Sequence, residues 1–312
     1  MPGTDLRKLV TKIKDDGESF VVVRPGIVAS FYVTTPFRTF APKLAETVEA
    51  FLEFVGRGVL TSYMAEDGTR KPLTEKRLAR DLGILRNPPK SADGLDWEYS
   101  SEPNGGAGEL ALFMAAADVD DDFPEQTSLI RLEFGENAVD ELGDKVLRSF
   151  LVDQANVLGA QSGNVGLGFK YAEPFTDEAI PKVNALLPRY LAFDPCFNDA
   201  ADLMRDRTYT AHWLNFLDKS MFRKCGGEKA LASAAPGAKA DTVGSTVVIQ
   251  SSRVPAVGDR NRKSPDLGNM PGVARFLKPL RLPLDGLGDD EFDVEAWLAR
   301  FDDLPNQAWN NR

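Results

Sequence analysis

The stretch "FVVVRPGIVASFYVTT", Phe20 to Thr35, decides the fold. Its β-branched and aromatic residues are strand formers. Arg24-Pro25-Gly26 interrupts them, and a Pro-Gly pair is turn chemistry. Two strands around a turn are therefore expected. "KLAETVEAFLEFVG" (43–56) follows, with Leu44, Val48, Phe51, Leu52 and Val55 at helical spacing and Gly56 placed as a C-cap. "VLTSYMAEDGTRKPLT" (59–74) is a hairpin around Asp67-Gly68.

Working outward, residues 87–108 are rich in Pro, Gly, Ser and Asp and are expected to form a loop excursion. "ELALFMAAA" (109–117) and "QTSLIRLEFG" (126–135) are strands, 138–159 a helix, and "GNVGLGFKYA" (163–172) a strand. Helices are expected at 177–192 and 209–225, a strand at 244–251, and helices at 270–278 and 293–302. The pattern is α+β, with mixed or antiparallel sheets covered by helices. Strand, helix, strand occurs twice, over 27–64 and 128–172. The chain is therefore expected to be one domain over 1–312, built from two similar sub-halves at about 1–118 and 119–312.

Composition bounds the chemistry. The 312 residues are 43% hydrophobic and 27% charged, with net charge -10 and a pI near 4.9. Such a field repels phosphates, so neither nucleic acid nor an anionic membrane is an expected partner. Two cysteines, Cys196 and Cys225, make no disulfide framework and no tetrahedral zinc set. Reduced thiols, the absence of a secretory leader and the lack of long apolar runs point to the cytoplasm.

Catalytic signatures are absent where they are looked for. His212 is the only histidine and stands in "TYTAHWLNFLDKSMF", among apolar residues expected to be helical core. "GAQSG" (159–163) has the wrong spacing for a nucleophile elbow. "DVDDDFPEQTSL" (118–129) places Asp118, Asp120 and Asp122 at the first, third and fifth positions of a calcium loop. Phe123 then replaces the glycine, and Leu129 the bidentate Glu. "GNVGLG" (163–168) is a glycine-bearing strand rather than a dinucleotide fingerprint, and there is no P-loop. No catalytic residue, cofactor or metal is expected.

Charge is concentrated instead. Asp118 to Lys145 holds ten acids against Arg131 and Lys145, and Asp285 to Asp303 holds eight acids against Arg300. The remainder is therefore basic overall. Concentrated acidity suits a solvated face, or a surface that meets a cationic protein.

Two segments carry a family resemblance. One is "TAHWLNFLDKSMFRKCGGEKAL", with Trp213-Leu214-x-Phe216-Leu217 ending at Gly226-Gly227. The other is "STVVIQSSRVPAVGDRNRKSPDLGNMPGVARFLKPLRL", with Pro255-x-x-Gly258-Asp259-x-Asn261. Together with "VRPGIVASFYV" they resemble the type VI immunity family of bacteria, encoded beside type VI secretion effectors. The departure is "VIQSS", where many relatives are richer in glycine.

The resemblance implies a non-enzymatic cytoplasmic protein that binds and occludes a cognate type VI effector toxin domain, most often a nuclease. Trp213, Gly226, Gly227, Pro255, Gly258, Asp259 and Asn261 are then structural, with Asp259 and Asn261 bonding nearby backbone N–H groups. The acidic stretch Asp118, Asp120, Asp121, Asp122 and Glu125 is the expected partner-binding surface. The competing readings are a carboxylate- or metal-dependent hydrolase and an adaptor that loads an effector.

Overall fold

The computed structural model describes residues 5–15, 17–117, 126–196, 204–262, 265–283 and 293–305. The fold is α+β. Its strands are β1 (Thr11–Asp15), β2 (Glu18–Val33), β3 (Ser62–Met64), β4 (Arg70–Pro72), β5 (Gly94–Ser100) and β6 (Ala111–Ala117). They continue with β7 (Ser128–Phe134), β8 (Ser162–Tyr171), β9 (Phe193–Asp194), β10 (Leu214–Asp218), β11 (Lys239–Val243) and β12 (Thr246–Gln250). All twelve join one sheet in the order β11-β12-β10-β8-β2-β7-β6-β5-β3-β4, with β1 against β2 and β9 against β8. Among the described residues, β8–β9 is the parallel pairing and the others are antiparallel.

The expected turn at Arg24-Pro25-Gly26 does not exist. β2 runs unbroken for 16 residues through it and forms the spine of the sheet. Proline is tolerated because β2 changes partner there. On one side β1 pairs as far as Val23, and β7 begins at Ile27. Pro25 thus sits in the gap, where no ladder donor is required. Gly26 serves close approach rather than turning, since a Cβ there would stand 2.2 Å from the Phe134 carbonyl oxygen.

The helices are α1 (Phe37–Val55), α2 (Glu75–Arg86), α3 (Ala138–Leu142), α4 (Asp144–Leu158) and α5 (Thr176–Leu186), then α6 (Lys219–Lys224), α7 (Gly227–Ala234), α8 (Met270–Leu277) and α9 (Val294–Ala299). α1 and α4 cover one sheet face. Phe51 and Phe54 of α1 and Phe150 of α4 all meet the Phe134 ring, at 5.4, 6.2 and 6.3 Å between centroids. Strand alternation puts Ile27, Ala29, Phe31, Ile130, Leu132, Val165 and Leu167 on that face, all sealed from solvent. Apart from Ala29, each such side chain stabilises the fold by about 1.5–3 kcal/mol.

Three further expectations need correction. The helix at 209–225 is instead β10 followed by the short α6. Leu214, Asn215, Phe216 and Leu217 are all wholly buried, because β10 lies between β8 and β12 with both faces covered. Burial on both faces erases the alternation that marks a strand. The excursion at 87–108 contains β5, whose punctuated flanks conceal seven paired residues. The helix at 138–159 is split at Gly143, which has φ 84°. α2 and β11 were not anticipated. Strands of both proposed sub-halves interleave, since β2 bonds to β7 on one side and β8 on the other.

Candidate functional site

The second face of the sheet is polar. Across its strands, Glu98 pairs with Phe113, Phe113 with Arg131, Arg131 with Ser30, Ser30 with Asn164, and Asn164 with Asn215. One row of side chains therefore crosses from β5 to β10. Its two ends have different fates.

At the β5–β7 end the row lies in the wall of a cavity of about 1400 Å³. Arg131 Nε lies 2.8 Å from Glu133. Its guanidinium stacks over the Phe113 ring at 5.0 Å and donates to the Cys196 carbonyl. Arg70 pairs with Glu98, and Arg24 with Glu136. Lys170 is buried, donating to the carbonyls of Gly108 and Glu109 at 2.9 and 2.6 Å. Burial pushes the Lys170 amine down to about 8 and raises the Glu98 carboxyl, against the pull of Arg70. These charges are already largely desolvated, the Arg70, Arg131 and Glu133 side chains being 7%, 11% and 9% exposed.

At the β8–β10 end the row is sealed. His212 is wholly buried. Its Nε2 lies 3.0 Å from Asp194 Oδ2 and its Nδ1 3.0 Å from the Thr210 carbonyl. Asp194 also accepts from Asn164 Nδ2 at 3.1 Å and from the Cys196 backbone N–H at 2.7 Å. Burial works against this carboxylate, but the bonds and charge from His212 outweigh it and hold Asp194 below the usual range. Trp297 of α9 roofs the site and donates its indole N–H to the Phe193 carbonyl. With both ring nitrogens engaged and no solvent contact, His212 is a structural group. Among the described residues, no group of three His, Cys, Asp or Glu side chains could hold a metal. No helix among them is long and apolar enough to cross a membrane.

The residues singled out by motif lie elsewhere. Trp213 is buried just before β10 and donates to the Ser252 carbonyl at 3.1 Å. Gly226 and Gly227, with φ 94° and 66°, join α6 to α7. Pro255 is buried, and Gly258, with φ 65°, leaves no room for a Cβ beside Leu267. Asp259 takes Arg189 in a two-pronged ion pair at 2.9 and 3.0 Å and accepts the Asn261 N–H at 3.0 Å. The Arg189 hydrogen bond, ahead of that of Asn261, holds its carboxyl below the usual range. Asn261 itself is exposed and contributes its backbone. The Arg189 pairing was missed because 70 residues separate the partners.

Asp118, Asp120, Asp121, Asp122 and Glu125 lie outside the described residues. The strand ends that carry the segment are fixed, with the Ala117 N–H donating to Ser128 Oγ at 3.2 Å. Ala115, two residues before it, lines the cavity. The neighbouring acids divide. Glu133 and Glu136 are buried in internal ion pairs, so they add nothing to an outward field. In the second acidic segment, Asp302 is spent on Arg281 and Lys278.

Comparison with known proteins bears on this geometry. No curated protein sequence matches the chain. Among solved structures, a Pseudomonas aeruginosa T6SS protein superimposes with a TM-score of 0.75 at 19% identity, covering 93% of this chain and 85% of that one. That likeness is one of fold. The family model described as type VI immunity for VRR-NUC matches residues 43–312. The chain belongs to this family of type VI immunity proteins.

Proposed function

We propose that the protein binds the nuclease domain of a cognate VRR-NUC effector in the cytoplasm and blocks it by stoichiometric occlusion, without chemistry of its own. The observation that carries this reading is the family match over residues 43–312. Electrostatics supports it. A nuclease cleft is cationic because it binds phosphate, and this chain has net charge -10. The acidic stretch from Asp118 to Glu125 is the proposed contact. The strands that flank it, β6 and β7, are paired with each other, which fixes where the segment leaves and rejoins the sheet. Opposed fields would speed association and make it salt-sensitive.

The test is titration of the purified protein into the cognate effector's nuclease domain, followed by a DNA-cleavage assay. A one-to-one complex and loss of cleavage at equimolar protein are expected. Cleavage that persists at saturating protein, or the absence of a complex, overturns the reading.

A further inference from the structure

The strand order ends at β4 on one side and at β11 on the other. An open sheet edge presents unpaired N–H and C=O groups and invites another strand. The two ends are guarded differently. β4 is three residues long and closes on Pro72, which has no N–H to offer. β11 runs for five residues without proline, and its register against β12 is unbroken from Lys239↔Gln250 to Val243↔Thr246. Lys239, Ala240, Asp241 and Thr242 are all exposed.

The backbone phase of β11 follows from its neighbours. The Ser251 N–H donates to the Trp213 carbonyl, one residue beyond the β10–β12 ladder. Alternate residues of a strand point their N–H and C=O groups to opposite sides. Odd-numbered residues of β12 therefore bond toward β10, and Thr246, Val248 and Gln250 bond toward β11. Their partners Val243, Asp241 and Lys239 are turned inward. Ala240 and Thr242 are left with N–H and C=O directed away from the sheet, and no strand among the described residues meets them.

We infer that β11 pairs antiparallel with β11 of a second copy of this chain, about a two-fold axis at Ala240, so that two sheets continue into one. At that register Ala240 exchanges both backbone bonds with the partner's Ala240, and the Thr242 N–H reaches the partner's Ala238 carbonyl. Lys239 stands opposite the partner's Asp241, and Asp241 opposite the partner's Lys239. Each is the closely spaced type of pair, with Cα atoms about 4.5 Å apart, in which opposite charges stabilise. Moving the axis by one residue sets Lys239 against the partner's Lys239, or Asp241 against the partner's Asp241. Lysine on an edge ordinarily discourages pairing. Here it selects a register, because only one alignment brings its counter-charge. Asp241 is held by Arg148 yet remains 57% exposed. A second copy is favoured over a foreign strand because the same five residues carry both halves of this charge complement. Two five-residue strands bury less than the roughly 1,200 Å² of a stable dimer, so association is weak and concentration-dependent.

The test is sedimentation velocity of the full chain from about 1 µM to about 1 mM, the span in which weak contacts show. The average mass of wild type should rise from 34.2 kDa toward twice that value. Ala240→Pro removes an outward N–H and none of the bonds to β12. It should keep the wild-type circular dichroism spectrum and melting temperature while staying monomeric throughout. The charges give a second, independent arm. Lys239→Glu sets acid against acid at both pairs, and Asp241→Lys sets base against base. Each alone should self-associate roughly tenfold more weakly or worse. An equimolar mixture of the two should regain wild-type association, because each variant then faces the opposite charge of the other. Wild type that remains monomeric at about 1 mM overturns the inference and leaves Lys239 as a guard of the edge. So does association that Ala240→Pro leaves intact, or a mixture that stays as weak as its components. A monomeric wild type whose binding to the effector's nuclease domain is lost in Ala240→Pro would assign the edge to a foreign strand, and would likewise overturn self-pairing.

Discussion

The sealed centre around Asn164 and the charged groups around Arg131 that border a cavity lie along one row of one sheet face, yet they are unlike in what covers them. Asn164 lies under the segment 190–196, to which α9 bonds in turn through Trp297. Arg131 and Glu98 line a cavity. Alternation along each strand assigns a side chain to a face but leaves undecided whether that face becomes core or contact surface. What the chain later lays over the row decides it. Polar groups under a roof have no water to turn to and draw their partners from the chain itself, as His212, Asp194 and Asn164 do.

The sharpest way to break the comparison is to open the sealed end. His212→Ala removes the main partner of a buried carboxylate, and breaking such a pair costs about 3–5 kcal/mol. Thermal or denaturant unfolding should show a loss of that size. A variant as stable as wild type would mean that the polar centre is not a structural unit. Acid probes the same pair. Asp194 is held below its unfolded value, so its contribution is present at neutral pH and is lost as pH falls through the folded-state value. Wild type should therefore lose stability below about pH 4, and the loss should be shallower in Asp194→Asn.

A second structural centre gives a smaller effect. Asp259→Ala releases Arg189 and the Asn261 N–H together. Because Arg189 is half exposed, the expected loss is about 1–2 kcal/mol rather than a buried-pair penalty. Effector affinity should change only through the unfolded fraction. An unchanged melting temperature with abolished binding would place Asp259 in the interface.

The difference between the two ends also governs what the sequence discloses. α1 and the β3–β4 hairpin are legible because a wet face and a clear turn preserve period and punctuation. β7, β8 and α8 are buried nearly throughout and are legible as short runs bounded by turn residues. β10, equally buried, is illegible as a strand because it runs without Gly or Pro punctuation into α6, and β2 because Pro25 mimics a turn. The charged cleft is hidden for a different reason. Arg70 and Glu98, or Arg131 and Cys196, are brought together by strand order, and no local spacing encodes a strand order in which β5 lies between β3 and β6. Phe113 beside Arg131 could have been read as cation–π pairing only with that register in hand. The acidic segments were visible as composition, but composition counts Glu133, Glu136 and Asp302 as surface charge when each is spent internally.

Beside the cavity, the buried Lys170 offers a gentler probe. Its amine is lowered to about 8 by burial, so above that pH the folded state sheds a proton that the unfolded chain still holds. Stability therefore rises with pH from this group, by about 1 kcal/mol between pH 8 and 9. The thiols of Cys196 and Cys225 are raised by burial and act in the opposite direction. The difference between wild type and Lys170→Met isolates the lysine, and a pH-independent difference would place the amine in water.

The smallest expected change in stability carries the most functional weight. Replacing Asp120, Asp121 and Asp122 with Asn keeps side-chain shape and removes three charges from a chain of net charge -10. Strands β6 and β7 are paired over Ala111–Ala115, outside the substituted positions, so unfolding is expected to shift by less than about 0.5 kcal/mol. Binding should respond differently. If the segment faces a cationic nuclease cleft, association slows, affinity falls, and the dependence of affinity on salt flattens, because fewer screened charges remain to steer the encounter. Loss through the acidic segment should shrink as salt rises. A triple variant with wild-type affinity at both low and physiological salt would remove the acidic segment from the interface.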